Sequence, residues 1–310
     1  MPLRKLVLGL SLACLASAGS LAAYPVRVLS DVPYLPPGRA EKLDIYLPDS
    51  PGLGLRPGVV YFHGGGWGLA KVHEDKADAR EKEIGGVLAG AGYVFVSADF
   101  RQGRHCWPTI LEDSRDAVRF LRAHAAEYQV DPNRIAVMGT STGAHQALLV
   151  AFTDVGDRGP AGGMYAGVSG AVAAVVDLYG ITDLLTRENV EPDGTPLGTL
   201  YDGHNAEMLG VGRSEGAALW REASPVFHVT ASSPPVLIIQ GTSDATVDYG
   251  QSIELDKVLR AKGVPHQMLL VKGVGHQFTL ETWKGRPLPI DLRPVVLGFL
   301  DKYLRAKANP

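Results

Sequence analysis

The sequence predicts a single α/β domain built on a mainly parallel sheet, with helices on both faces and one small insertion. Three observations point that way. Segments of extended and helical character alternate along the chain, the pattern of consecutive β-α-β units. Several extended segments, A-V-A-A-V-V-D-L-Y-G at 171–180 and P-P-V-L-I-I-Q-G at 234–241 among them, are apolar almost throughout. Strands covered by helices on both faces read that way, whereas half-exposed strands alternate. Finally, 310 residues with 45% apolar and 20% charged side chains can bury a large core.

The elements follow in order. L-D-I-Y-L-P (43–48) and P-G-V-V-Y-F-H (57–63) are strands, rich in β-branched and aromatic residues and bounded by Pro and Gly. A charged helix is predicted over 78–88, stopped by Gly90 and Gly92. Y-V-F-V-S-A-D-F (93–100) reads as a buried strand. Residues 110–128 place Ala117, Phe120, Leu121 and Ala125 at helical spacing, with charges opposite. D-P-N-R leads into the strand I-A-V-M-G (135–139), and S-T-G-A-H-Q-A-L-L-V-A-F (141–152) reads as a helix. The Asp- and Gly-rich stretch 182–222 carries only short helical pieces, A-E-M-L and E-G-A-A-L-W. It is read as an insertion forming a flap over the C-terminal edge of the sheet. Strand 234–241, helix 253–261, strand H-Q-M-L-L-V (266–271) and a closing helix 292–306 complete the chain.

The N-terminus has its own character. M-P-L-R-K supplies positive charge, L-V-L-G-L-S-L-A-C-L is a short apolar run, and small residues follow, the order of a secretory signal peptide. Cleavage is expected after Ala18 or, preferred, Ala23, leaving a domain over 24–310 that is secreted or periplasmic with no stable membrane insertion. Ser11-Leu12-Ala13 before Cys14 only partly fits a lipidation box, so lipid anchoring is not expected. Removing the leader leaves Cys106 without a partner for an internal disulfide. A net charge of −3 gives no reason to expect nucleic acid as a partner. No His, Cys or Asp cluster has ligand spacing and no glycine run has nucleotide-binding spacing, so neither a metal nor a cofactor is expected.

Residues 137–145 read V-M-G-T-S-T-G-A-H. Ser141 stands between a strand and a helix, the setting of a nucleophile held on a sharp turn, with a helix N-terminus beside it to favour developing negative charge. A serine hydroxyl is a weak nucleophile, so a base and an orienting acid should follow. G-T-S-D-A-T-V (241–247) and G-V-G-H-Q-F (273–278) place Asp244 and His276 in loops just past strand ends. Asp248 stands farther from its strand end, His145 points along the helix from Ser141, and His228 precedes a strand; each is the weaker candidate. H-G-G-G-W (63–67) follows a strand, and its glycines free backbone N–H groups to face a ligand. Gly65, Gly66 and the amide of Thr142 are the expected oxyanion donors, and Trp67 and Trp107 are expected to line the substrate pocket.

These stretches, together with S-A-D-F-R, C-W-P-T and A-S-P-V, resemble the α/β-hydrolase esterases of the HGGGW type from about residue 40 onward. The group includes hormone-sensitive-lipase-like and bifunctional feruloyl/acetylxylan esterases. The order Ser, Asp, His is that of the α/β-hydrolase triad. Little chain precedes H-G-G-G, where a hormone-sensitive-lipase-like cap would lie, and G-T-S-T-G replaces the G-D-S-A-G common in that group. The resemblance is therefore closer to the feruloyl/acetylxylan and carboxylesterase-like members. It implies a serine carboxylic-ester hydrolase acting on small or polysaccharide-linked esters, acetyl or feruloyl groups among them. A serine peptidase of related fold, an esterase of synthetic polyesters, and a non-catalytic binding module are the alternatives.

Overall fold

Apolar runs that must hide both faces organise the molecule. The computed structural model describes residues 23–49, 54–70, 74–153, 159 and 163–305. The leader expected over 1–23 lies outside them, save Ala23. Strands β1 (Val26–Val32), β2 (Leu43–Pro48), β3 (Arg56–Phe62), β4 (Val94–Ala98), β5 (Val130–Thr140) and β6 (Val175–Leu178) form the first part of the chain's sheet. The hairpin β7 (Glu188–Val190) and β8 (Pro196–Leu200) stands apart, and β9 (Val236–Gly241) and β10 (His266–Val271) complete the sheet. Its order is β1-β2-β4-β3-β5-β6-β9-β10. From β4 to β10 every neighbouring pair is parallel, while β1 and β2 close one edge antiparallel.

The central strands are buried residue after residue, as two-sided burial requires. Helices α1 (Ala79–Gly90), α2 (Thr109–Ala123), α3 (Thr142–Thr153), α6 (Gly250–Ala261) and α7 (Arg293–Leu304) cover the two faces, with α4 (Gly203–Leu209) and α5 (Ala217–Glu222) between them in sequence. Two apolar clusters result, one per face: Phe62, Val137, Leu148 and Ile238 contribute to one, Tyr61, Met138, Ile239 and Phe299 to the other. Side chains of successive strand residues alternate between them. Helix α3 is buried along almost its whole length, consistent with its apolar composition on every side.

The structure departs from the sequence reading in several places. The helix expected to run to 128 ends at Ala123. The strand expected over 171–180 is only Val175–Leu178, and β5 begins at Val130 because D-P-N-R itself lies in the strand. β1 was not expected; its side chains are mostly exposed, so it carries no apolar run. The insertion 182–222 holds the hairpin β7–β8 besides α4 and α5. Among the described residues, no helix is long and apolar enough to cross a membrane.

Candidate active site

The chain turns from strand to helix within one residue after β5, and that residue is Ser141. Its φ of 54° lies in the left-handed region, where a side chain sits under strain. Two backbone hydrogen bonds hold it there: Ser141 N–H donates to Leu178 O (2.9 Å), and Ser141 O accepts from His145 N–H (3.1 Å). Both flanking glycines are required by contact. A Cβ at Gly139 would stand 2.4 Å from the Gly143 carbonyl carbon, and one at Gly143 only 2.0 Å from Phe62 O. G-T-S-T-G is thus the sequence this corner can accept without moving β3 away from α3.

Parallel strands deliver the other two groups to the same edge. Asp244 lies in the loop after β9 and His276 in the loop after β10. His276 Nδ1–H donates to Asp244 Oδ2 (2.7 Å), which leaves Nε2 to accept from Ser141 Oγ–H (3.0 Å). Asp244 Oδ1 accepts from the amides of Thr246 (2.8 Å) and Val247 (3.0 Å), and Oδ2 also from Gln240 Nε2 (3.1 Å). Burial alone would raise the Asp244 pKa. The charge and hydrogen bond of His276, with the two amides, outweigh it and hold the carboxyl below its usual range. Asp248, the alternative acid, is turned elsewhere and accepts from Glu188 N–H (3.0 Å).

The glycine loop faces Ser141. Gly65 and Gly66 both have positive φ, 101° and 62°, which turns their amides away from the preceding strand direction. Together with Thr142, they border a cavity of about 380 Å³ that also contains Ser141 and His276. Among the described residues, no protein group accepts from the N–H of Gly65, Gly66 or Thr142, so all three remain available to a ligand. His63 fixes the start of this loop. Its ring stacks on Phe100 (4.7 Å), Nδ1–H donates to Gly64 O (2.9 Å), and Nε2 lies 3.5 Å from Asp99. Burial opposes charge on His63, yet Asp99 prevails and its pKa sits above the usual value.

Of the two tryptophans expected to line the pocket, Trp67 borders the cavity and Trp107 does not. Trp67 borders the cavity, but its side chain is fully buried and edge-on to His145. Its backbone N–H donates to Thr142 Oγ1 (3.3 Å) and its Nε1–H to His145 Nδ1 (3.4 Å). Trp67 therefore clamps the glycine loop to the first turn of α3 and offers no free face to a substrate. Trp107 borders a different cavity, with Leu149, Phe152 and Phe227. Phe152 is eleven residues beyond Ser141, or about 16 Å along the helix. That distance removes Trp107 from the site. His145, read as a packing residue, is one: Nε2–H donates to Ala223 O (2.7 Å), and burial pushes its pKa down to about 4.

Residues 43–259 match the profile of the BD-FAE family. The chain belongs to that family. Esterase LipQ of Mycobacterium tuberculosis (strain ATCC 25618 / H37Rv) is 28% identical over 236 residues, 76% of this chain and 53% of its own length. Esterase LipC of the same organism is 30% identical over 249 residues, 78% of this chain and 58% of its own. The chain thus spans about half the length of these curated relatives. Among solved structures, a truncated form of carbohydrate esterase from gut microbiota superposes with a TM-score of 0.72 at 23% identity, covering 93% of this chain and 99% of that one. This likeness shows a shared fold.

Further polar residues of this BD-FAE member border the cavity without having been singled out in the sequence, among them Glu74, Arg187, Tyr201, His204 and Gln277. Glu74 accepts from Gln277 Nε2 (2.7 Å) and from Arg80 (2.9 Å), which ties the residue after His276 to α1. A Cβ at Gly66 would stand 3.0 Å from His204 Nδ1, so the insertion closes directly over the glycine loop. Gln277 lies inside the G-V-G-H-Q-F stretch but was not singled out there; the other four had no sequence signal beyond being polar. Among the described residues, no group of three or more His, Cys, Asp or Glu side chains is placed to hold a metal ion.

Proposed function

We propose that the chain is a serine carboxylic-ester hydrolase whose nucleophile is Ser141, and the observation that carries this is the Ser141–His276–Asp244 hydrogen-bonded row beside three free amides. In the first half-reaction His276 Nε2 takes the Ser141 hydroxyl proton as Oγ attacks the ester carbonyl carbon. The carbonyl oxygen becomes an oxyanion facing the amides of Gly65, Gly66 and Thr142. Collapse breaks the bond to the alkoxy group, which leaves as the alcohol with the proton from His276. Water then enters, gives a proton to His276, and its oxygen attacks the acyl carbon. The acid departs as Ser141 Oγ recovers its proton. Asp244 accepts from Nδ1–H throughout, fixing the tautomer and stabilising the imidazolium.

The naming of curated relatives as esterases supports the reaction, and the carbohydrate esterase fold match supports a sugar-borne substrate. Acetyl or other short acyl groups, or aryl acyl groups such as feruloyl, on a polysaccharide fragment are the substrates we assign, with no cofactor. The leader-like N-terminus supports action outside the cytoplasm. The test is a turnover profile of p-nitrophenyl acetate, butyrate and octanoate, methyl ferulate and acetylated xylan, with Ser141→Ala as control. Short esters should be hydrolysed and the variant should fall by at least about 10³-fold. Variant activity above a few per cent, or preferential cleavage of aminoacyl-p-nitroanilides, contradicts the assignment.

A further inference from the structure

The cavity that holds Ser141 also holds a buried cation without a counter-ion. Arg187, at the root of the insertion, is only 4% exposed and borders the cavity with Tyr201 and Thr246. Its Nη1 donates to Asn205 Oδ1 (3.0 Å) and its Nη2 to Thr246 O (3.0 Å). A guanidinium carries five N–H groups. Nε has no acceptor, and among the described residues no carboxylate comes within 4.0 Å of Arg187. The Tyr201 ring lies 4.0 Å from Cζ and fixes the plane of the fork.

The nearby acids are spoken for. Asp244 is engaged by His276, and Asp248 Oδ2 accepts from Glu188 N–H. Glu188 Oε2 accepts from Gly198 N–H in the hairpin, and Glu74 is paired with Arg80. Burial accordingly lowers the Arg187 pKa, and the fields of Tyr201, Asp248 and Asp244 do not make up the deficit. A guanidinium stays charged regardless, and leaving one buried and unpaired is costly. A bound anion relieves that cost and meets the planar fork with the right geometry.

We propose that Arg187 is a specificity-determining residue that pairs with a carboxylate on the substrate, so that the preferred ester is anionic. The carboxylate can reside in the acyl part, as in the half-ester of a dicarboxylic acid, or in the alcohol part, as in an acylated uronic-acid sugar. This rests on the ester-hydrolase reading above and adds the charge of the substrate to it.

Two matched pairs test it. The acyl pair is p-nitrophenyl hydrogen glutarate against p-nitrophenyl pentanoate; the alcohol pair is an O-acetylated methyl glucuronoside against the corresponding methyl glucoside. Wild-type kcat/KM should favour the anionic member of at least one pair by about tenfold or more, as a charge-assisted hydrogen bond allows. The pair that responds identifies the side carrying the carboxylate. In Arg187→Met that ratio should collapse to within about twofold of unity, and Arg187→Lys should keep part of it, since it retains the charge but not the fork. The lysine variant and the wild-type ratios carry the test even where the methionine variant fails to fold. Ratios at or below unity in both pairs for the wild type overturn the proposal. So does a fall of both members by the same factor in either variant, which is what a purely structural tie to Thr246 predicts. Wild-type inactivity toward all four esters overturns the ester-hydrolase reading itself.

Discussion

The strand-end edge and the insertion face the same cavity but are built on different rules. At the edge, position is dictated by backbone: β5, β9 and β10 are neighbours in a parallel sheet apart from β6 between β5 and β9, and each releases one functional side chain just past its end. Ser141 cannot have bulkier neighbours because Phe62 O and the Gly143 backbone occupy the space. In the insertion, side-chain contacts take a larger share in setting position. Arg187 is held by the Asn205 side chain and the Tyr201 ring, and from outside the insertion by the main-chain carbonyl of Thr246. On the proposals above, the edge serves the chemistry and the insertion serves recognition. Their meeting point is Thr246, whose N–H holds Asp244 while its C=O holds Arg187.

That division predicts unequal sensitivity. Asp244→Asn leaves the shape of the edge but offers His276 an amide in place of a carboxylate, which favours the wrong tautomer. Its kcat should drop by about 10³- to 10⁴-fold with little change in melting temperature, measured by steady-state kinetics beside thermal unfolding. Tyr201→Leu removes the ring stacked on Arg187 and sits at the other end of the scale. Its kcat/KM should decline by about tenfold at most. If Tyr201→Leu proves as damaging as Asp244→Asn, the insertion is part of the catalytic machinery and the division fails.

The same division explains what the sequence made legible. The central strands were readable because two-sided burial forces continuous apolar runs, and the triad was readable because strand ends and glycine constraints leave few positions for it. β1 was not, because V-R-V-L-S-D-V is mostly exposed and only Leu29 and Val32 pack partly against the core. The hairpin β7–β8 is short, half-buried in β7 and exposed in β8, and its one signal is the turn dipeptide Asp193-Gly194, where Gly194 adopts φ 89°. Trp107 misled for a related reason: a tryptophan beside a motif is apolar enough to serve core or pocket, and only packing decides between them. Trp67 was needed against His145, and Trp107 lies at the far end of α3. Arg187 and Tyr201 carried no pattern at all, since their role comes from long-range contacts that spacing does not encode.

The central claim is that Ser141, strained at φ 54° and hydrogen-bonded to His276, is a nucleophile. Incubation of the protein with a fluorophosphonate, followed by peptide mass spectrometry, reads this without assuming any substrate. The account predicts one adduct per chain, on the peptide containing Ser141, with loss of labelling in Asp244→Asn to a small fraction of the wild-type rate. An unlabelled Ser141, or an adduct on another residue that forms equally well in Ser141→Ala, would contradict it.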